Sequence, residues 1–309
     1  MSSAMPEFTD TVAARSGPSP YDLILDGTKV GYWPERIAAW ERGEKIAPIT
    51  MDVSWTRLCQ FACVGFCYAQ LQASKSDHEI TREIALQFLS DAAEIGVKGV
   101  SLISDGESSL VPFYAESIEH GAKVGLQIGI GTNGQRLKRP MLEQILPHLA
   151  YLRFNVSGGT REGYARIMGV KPAWYDEVMQ NIADAMAIKR RDRLGVTINM
   201  QLVCDPKEEA ELLPFAELAA RLRPDYAIIK HMADDVDGHL GVDYTQYARL
   251  DETFRRIEAM GDRDFRVIIK RERIKDEGRR DYSRCYGPPF ITQMSGNGLI
   301  APCGFLFNE

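Results

Sequence analysis

The chain has 309 residues, 45% hydrophobic and 26% charged, with a formal net charge of −6, which is enough for one large core and matches an ordinary globular balance. A negative balance excludes a global basic field for nucleic acid or an anionic membrane, and the mixed runs Lys189 to Arg193 and Lys270 to Arg280 read as solvated surface. Apolar stretches such as Leu194 to Val203 fall short of the ~20 residues that span a bilayer, and Glu7 and Asp10 stand where a signal peptide needs a basic then apolar run, so the expected address is cytoplasmic.

Residues 1–46 are polar, with Pro6, Pro18, Pro20 and Pro34, and read as an N-terminal extension in which Tyr21 to Leu25 form a short strand. From Pro48 onward, β-rich runs alternate with helical patterns, the signature of parallel βαβ units. The first strand, Ile49 to Trp55, leads into a cysteine loop. A helix follows with Thr81 as N-cap, Ile84, Phe88, Leu89, Ala92 and Ile95 on one face, and Gly96 as its stop. The second strand, Gly99 to Ile103, ends at Ser104-Asp105-Gly106-Glu107, and Pro112 opens a helix that stops at Gly121. The third, Val124 to Ile130, ends in Gly131-Thr132-Asn133-Gly134, with a short helix from Pro140 to Ile145 behind it.

The fourth strand, Tyr151 to Val156, ends in Ser157-Gly158-Gly159, and Trp174, Val178, Ile182 and Met186 mark the next helix. The fifth, Val196 to Val203, runs into Cys204-Asp205-Pro206. A helical stretch from Phe215 to Leu222 precedes the sixth, Tyr226 to Lys230, which ends at His231. Beyond it, Tyr244 to Met260 reads as helix and Phe265 to Lys270 as strand. Polar and glycine-rich residues thus gather after the six strands, the edge on which βα barrels carry their catalytic groups. A doubly wound open sheet gives the same alternation.

Six cysteines in such a chain point to metal or redox ligation, not to a disulfide framework. Cys59, Cys63 and Cys67 lie within nine residues, Cys204 stands alone, and Cys285 and Cys303 lie near the end. Three thiolates on one loop leave a coordination position open, whereas a structural zinc site closes with four ligands, for which His78 is available.

Residues Cys59-Gln-Phe-Ala-Cys63-Val-Gly65-Phe66-Cys67 resemble the C-x3-C-x2-C motif of the radical S-adenosylmethionine (SAM) enzymes, with Phe66 in the aromatic position before the last cysteine and Gly65 as one additional residue. The added residue supplies at most ~3.5 Å of chain, and a glycine bulges easily, so a kinked loop is expected to keep the three sulfurs converging on one point. Ser104-Asp-Gly106-Glu107-Ser108 resembles the family's Gly-Gly-Glu-Pro element, with Asp105 for a Gly and Ser108 for the Pro. Arg153-Phe-Asn155-Val-Ser157-Gly resembles its Ser-x-Asp-Gly element, and Thr132-Asn133-Gly134 its Thr-Asn-Gly. Cys285-x12-Gly298-x4-Cys303 resembles the opening of a SPASM or twitch auxiliary domain, with two cysteines where four thiolates are usual.

The resemblance implies an α/β fold, a partial (β/α)6 TIM-like barrel of parallel strands over 47–240, followed by a short C-terminal α+β auxiliary extension over 241–309. It implies a [4Fe–4S] cluster on Cys59, Cys63 and Cys67, with an auxiliary cluster at Cys285 and Cys303 if further ligands exist. SAM contacts would come from Phe66, Tyr68, Gly106, Glu107, Ser108, Asn155 and Ser157. The activity implied is reductive cleavage of SAM to a 5′-deoxyadenosyl radical that takes hydrogen from a peptide or protein, with action on a small molecule or non-catalytic iron–sulfur or zinc binding as alternatives. Flavodoxin or ferredoxin would supply the electron, and neither nucleic acid nor membrane is a partner.

Each residue also has a structural reading. Glu107 suits the start of a helix through its dipole, and Asn155 and Ser157 suit strand-end turns. Cys204 suits a small buried apolar residue or a hydrogen donor. Lys230 and His231 face a substrate or cap the barrel, and Trp40 and Trp174 pack core or rim.

Overall fold

The computed structural model describes residues 27–67, 79–234, 238–271 and 283–307. The strand expected at Tyr21 to Leu25, together with Tyr68 and His78, lies outside them. Among the described residues, nine strands form one sheet: β1 (Thr50–Val53), β2 (Gly99–Leu102), β3 (Gln127–Thr132), β4 (Leu149–Asn155), β5 (Thr197–Cys204), β6 (Tyr226–His231), β7 (Arg266–Ile269), β8 (Ile291–Met294) and β9 (Ile300–Ala301). Their order is β7-β6-β5-β4-β3-β2-β1-β8-β9. Strands one to seven are parallel and each lies beside its sequence neighbours, so the order never reverses. That is the winding of a barrel, without the switch point of a doubly wound sheet, and it stays open because the sheet ends at β7 and β9.

The helices are α1 (Pro34–Glu41), α2 (Arg82–Glu94), α3 (Tyr114–Lys123), α4 (Arg139–Ile145), α5 (Arg161–Met168), α6 (Pro172–Asp192), α7 (Leu212–Leu222) and α8 (Asp251–Glu258). Alternation along the strands sends Leu152 and Phe154 of β4, Met200 and Leu202 of β5, and Ala227 and Ile229 of β6 into the core shared with the helices. Tyr151, Arg153 and Asn155, at the intervening positions of β4, are half-buried on the opposite, concave face. The sheet is therefore apolar toward its helices and polar toward its hollow.

Several elements differ from expectation. Thr81 caps α2 by accepting from Ile84 N at 3.3 Å, but Ile84 and Ile95 are 51% and 60% exposed; the buried stripe is Ala85, Leu89 and Ala92. Gly121 does not end α3. It sits inside the helix, where a Cβ would come within 2.5 Å of Ile128 Cδ1, and β3 begins three residues later than Val124. The expected helix from Tyr244 to Met260 is a 3-10 segment, Tyr244–Leu250, joined to α8. α5 has no counterpart in the expected elements, although Thr160 caps it from a serviceable position by accepting from Gly163 N at 2.9 Å.

The C-terminal residues are not set apart from the barrel sheet. β7 extends it on one side, and β8 pairs parallel with β1 on the other while β9 folds back antiparallel. Residue 240 is thus no break in the sheet. Trp40 packs edge-on against Tyr286 and Phe290, with ring centroids 5.6 Å away in each case, joining α1 to this segment.

Candidate functional site

The cysteine loop leaves β1 at the C-terminal edge of the sheet and is held from several directions. Trp55, buried at its root, donates Nε1–H to Ser117 Oγ at 3.0 Å and its backbone N–H to Ser108 Oγ at 3.1 Å. Phe61 is buried against Tyr164 and Trp174, at ring-centroid distances of 6.5 and 5.4 Å. Glu107 N–H donates to Leu58 O at 2.8 Å, and Val64 N–H to Ile167 O at 2.8 Å. Gly106 lies so close that a Cβ would sit 2.1 Å from Thr56 O, and its φ of +67° is one that few other residues adopt.

Gly65 has a φ of +80°, and a Cβ there would meet nothing within 4 Å. The additional residue is accommodated as a left-handed kink into open space. Cys59 Sγ accepts from Phe61 N–H at 3.5 Å and from the Asn133 side-chain amide at 3.8 Å. Burial first, then the Glu107 carboxylate and Cys67, push the Cys59 thiol up to about 11. Burial and then Cys67 and Cys59 raise Cys63 above the usual thiol range. The three sulfurs therefore lie within each other's electrostatic reach.

Among the described residues, no group of three or more His, Cys, Asp or Glu side chains stands as a formed metal site. Cys59 takes hydrogen bonds from Phe61 and Asn133. The donor set nonetheless fits an iron–sulfur cluster. It offers three cysteines on one braced loop and N–H groups directed at a sulfur, the outer-shell contact that tunes cluster thiolates.

Glu107 is buried, and both carboxylate oxygens are engaged by the protein. Oε1 accepts from Ser109 Oγ at 2.6 Å, Thr132 Oγ1 at 2.9 Å and Ser109 N–H at 3.3 Å, while Oε2 accepts from Asn133 N–H at 2.8 Å. Burial raises its pKa, opposed by those donors. Glu107 thus ties the loop after β2 to the loop after β3 and begins the 3-10 turn Ser108–Leu110. Ser108 Oγ is likewise turned onto Ser54 and Trp55.

Asp105 reaches the other way. Its carboxylate accepts from Arg57 Nε at 3.1 Å, Ser295 Oγ at 2.7 Å and Gly296 N–H at 2.8 Å, fastening the cysteine loop to the loop after β8. Sequence reasoning gave no role to Asp105, Arg57 or Asn133. The signal for Asp105 was its own irregularity, a carboxylate where the resembling motif has glycine.

At the end of β4, Asn155 Oδ1 accepts from Gln201 Nε2 at 3.3 Å, and Ser157 Oγ from Val203 N–H at 3.2 Å. Ser157, Gly65, Phe66 and Cys204 line one cleft with Arg166, Asp205 and Glu208. Cys204 is 1% exposed in the core, with its pKa raised by burial. His231 sits beside it across the ladder, its ring 6.1 Å from Tyr244. Cys285 is exposed and Cys303 half-buried, flanking β8 and β9. No helix among the described residues is long and apolar enough to cross a membrane.

A family model described as the radical SAM superfamily matches residues 53–215. The AdoMet-dependent heme synthase of Methanosarcina barkeri (strain Fusaro / DSM 804) is 23% identical over 281 residues, 82% of this chain and 76% of that protein. Streptococcus suis SuiB bound to S-adenosylmethionine matches with a TM-score of 0.66 at 16% identity, covering 87% of this chain and 64% of SuiB. SuiB bound to its precursor peptide SuiA gives 0.69 at 16%, covering 99% and 69%. The anSMEcpe structure with bound AdoMet gives 0.60 at 14%, covering 84% and 75%. With its singly wound open sheet, its cysteine loop at the strand ends and a family match over more than half its length, the chain belongs to the radical SAM superfamily, S-adenosylmethionine-dependent enzymes that carry a [4Fe–4S] cluster.

Proposed function

We propose that Cys59, Cys63 and Cys67 hold the cluster and that the chain starts a radical reaction on a peptide or protein side chain. The observation that carries this reading is the braced cysteine loop beside a cleft lined by Phe66 and Ser157. When bound, cluster and SAM supply one-electron cleavage to methionine and a 5′-deoxyadenosyl radical. Phe66 and Tyr68 would flank the adenine, Asn155 and Ser157 would hold the methionine carboxylate and ribose, and the backbone at Gly106 would line the path to the cluster. Glu107 and Ser108 would act by fixing that backbone, since their polar atoms already bind the protein. Phe61, Trp174 and Tyr164 would keep water from beneath the loop. Of the weak reactive candidates, Cys204 is the least accessible and Lys230 the best placed on the concave face.

A peptide substrate is supported by the likeness to SuiB bound to its precursor peptide and to anSMEcpe bound to peptides. A small molecule is the second reading, favoured by the relative named for heme synthesis. Residues 241–309 would serve as a SPASM or twitch-like region, with Cys285 and Cys303 holding an auxiliary cluster only if other ligands join them. A cytoplasmic flavodoxin or ferredoxin would donate the electron. Anaerobic reconstitution, dithionite and SAM should yield 5′-deoxyadenosine; a reconstituted protein that forms none sinks the catalytic reading, and a colourless zinc protein sinks the cluster.

A further inference from the structure

The concave face of the sheet carries cations that the cofactor site does not use. Arg153 of β4 lies in register with Gly131 of β3 and Asn199 of β5. Lys230 of β6 stands one strand from Lys270, whose N–H donates to Ile229 O at 3.0 Å. A Cβ at Gly131 would lie 2.9 Å from Arg153 Nη2, so the guanidinium rests across bare β3 backbone that only a glycine leaves open.

Arg153 Nε is buried without a hydrogen-bond partner, and among the described residues no carboxylate forms an ion pair with Arg153 or Lys230. The acid facing them is Asp52 of β1, which burial pushes toward neutrality and Arg153 pulls back. Tyr151 and Tyr226 complete the surroundings. Burial, then Arg153 and Lys270, bring the Lys230 ammonium down to about 8. A guanidinium cannot shed its charge, and an unpaired buried cation is costly. Both conditions are relieved by one bound anion, for which the planar fork of Arg153 offers two parallel donors.

We propose that Arg153 and Lys230 form a substrate subsite on the concave face that binds a carboxylate or phosphate group. It rests on the radical SAM reading only in calling the ligand a substrate. Arg153 lies two residues before Asn155, about 6–7 Å deeper along the strand, so the anion anchors the substrate beneath the mouth and leaves the rest of it toward the cysteine loop. The subsite fits either a small acid or an acidic peptide side chain.

The test acylates the reconstituted holoenzyme with a neutral succinimidyl ester at pH 8 in chloride, in inorganic phosphate and in acetate, and quantifies Lys230 modification by mass spectrometry. Phosphate or acetate should slow Lys230 roughly tenfold or more, since an amine returned from 8 toward its ordinary pKa is almost wholly protonated there. Exposed Lys123 should be unaffected, and the more protective anion names the group. Protection should vanish in Arg153→Gln, which should still bind SAM. Equal Lys230 rates in all three salts overturn the proposal on the wild-type protein alone. Loss of SAM binding in Arg153→Gln, measured by equilibrium dialysis, overturns it as well, because the anion is then SAM's own carboxylate. Failure of the wild type to form 5′-deoxyadenosine would sink the radical reading and leave the acylation result standing.

Discussion

Glu107 illustrates what single residues disclose. Its place after β2 was readable from the sequence, and so was its double description as a SAM contact or as a helix-start carboxylate. Which donors it takes was not readable, because Thr132 and Asn133 reach it from another strand's loop. Arg153 was overlooked for a different reason: strand alternation from Asn155 places it on the concave face, but its missing partner shows only once every neighbouring strand is in place. Lys230 gives the residue-scale prediction. Its pKa falls from 10.5 in an ordinary environment to about 8 in the fold, so between those values the unfolded chain binds more protons than the native one. Stability should therefore rise with pH across that window, with a slope approaching about 1.4 kcal/mol per pH unit. Below pH 8 the full penalty remains. Lys230→Met should raise stability at neutral pH and flatten the rise, which denaturant titrations at pH 7, 8, 9 and 10 in chloride would read. An unchanged slope would place the ammonium in bulk water.

Among the elements, strands were more legible than helices. A strand's apolar run survives a shift of a few residues, as β3 shows, whereas a helix face depends on which residue begins the stripe. Ile84 and Ile95 fit the period of α2 yet point outward, because Ala85 and Leu89 bring the helix closer to the sheet. The cysteine loop is the element on which function turns, and its glycines separate local freedom from close packing. Gly65→Ala should cost about 1 kcal/mol, the strain of a left-handed alanine, and keep the cluster. Gly106→Ala carries the same strain and also drives a methyl into Thr56 O, so a loss above about 3 kcal/mol is expected. Denaturant unfolding and iron content of the two variants provide the comparison; equal effects would mean that Gly106 is not a support of the loop.

At the scale of the whole molecule, the order of the strands decides between barrel and doubly wound sheet, which sequence periodicity alone left open. The C-terminal segment is the larger surprise. Its cysteine spacing suggested an appended region, but β8 covers the edge of β1 and its following loop is tied to Asp105. No sequence pattern announces a pairing between residues 50 and 291. Ending the chain at residue 282 should therefore do more than remove Cys285 and Cys303. It would bare the edge of β1, leave Asp105 with Arg57 alone and promote association. A lower melting temperature and aggregates on size-exclusion chromatography are expected; an equally stable monomer would show that β8 is dispensable.

The cysteine loop remains the claim on which the rest depends. Its most direct test compares iron and sulfide content, and SAM cleavage, in anaerobically reconstituted wild type and Cys67→Ala. The account predicts about four irons and four sulfides per wild-type chain for a [4Fe–4S] cluster, with 5′-deoxyadenosine formed, and loss of both in the variant. A Cys67→Ala protein that keeps its iron and still cleaves SAM would contradict the three-cysteine assignment.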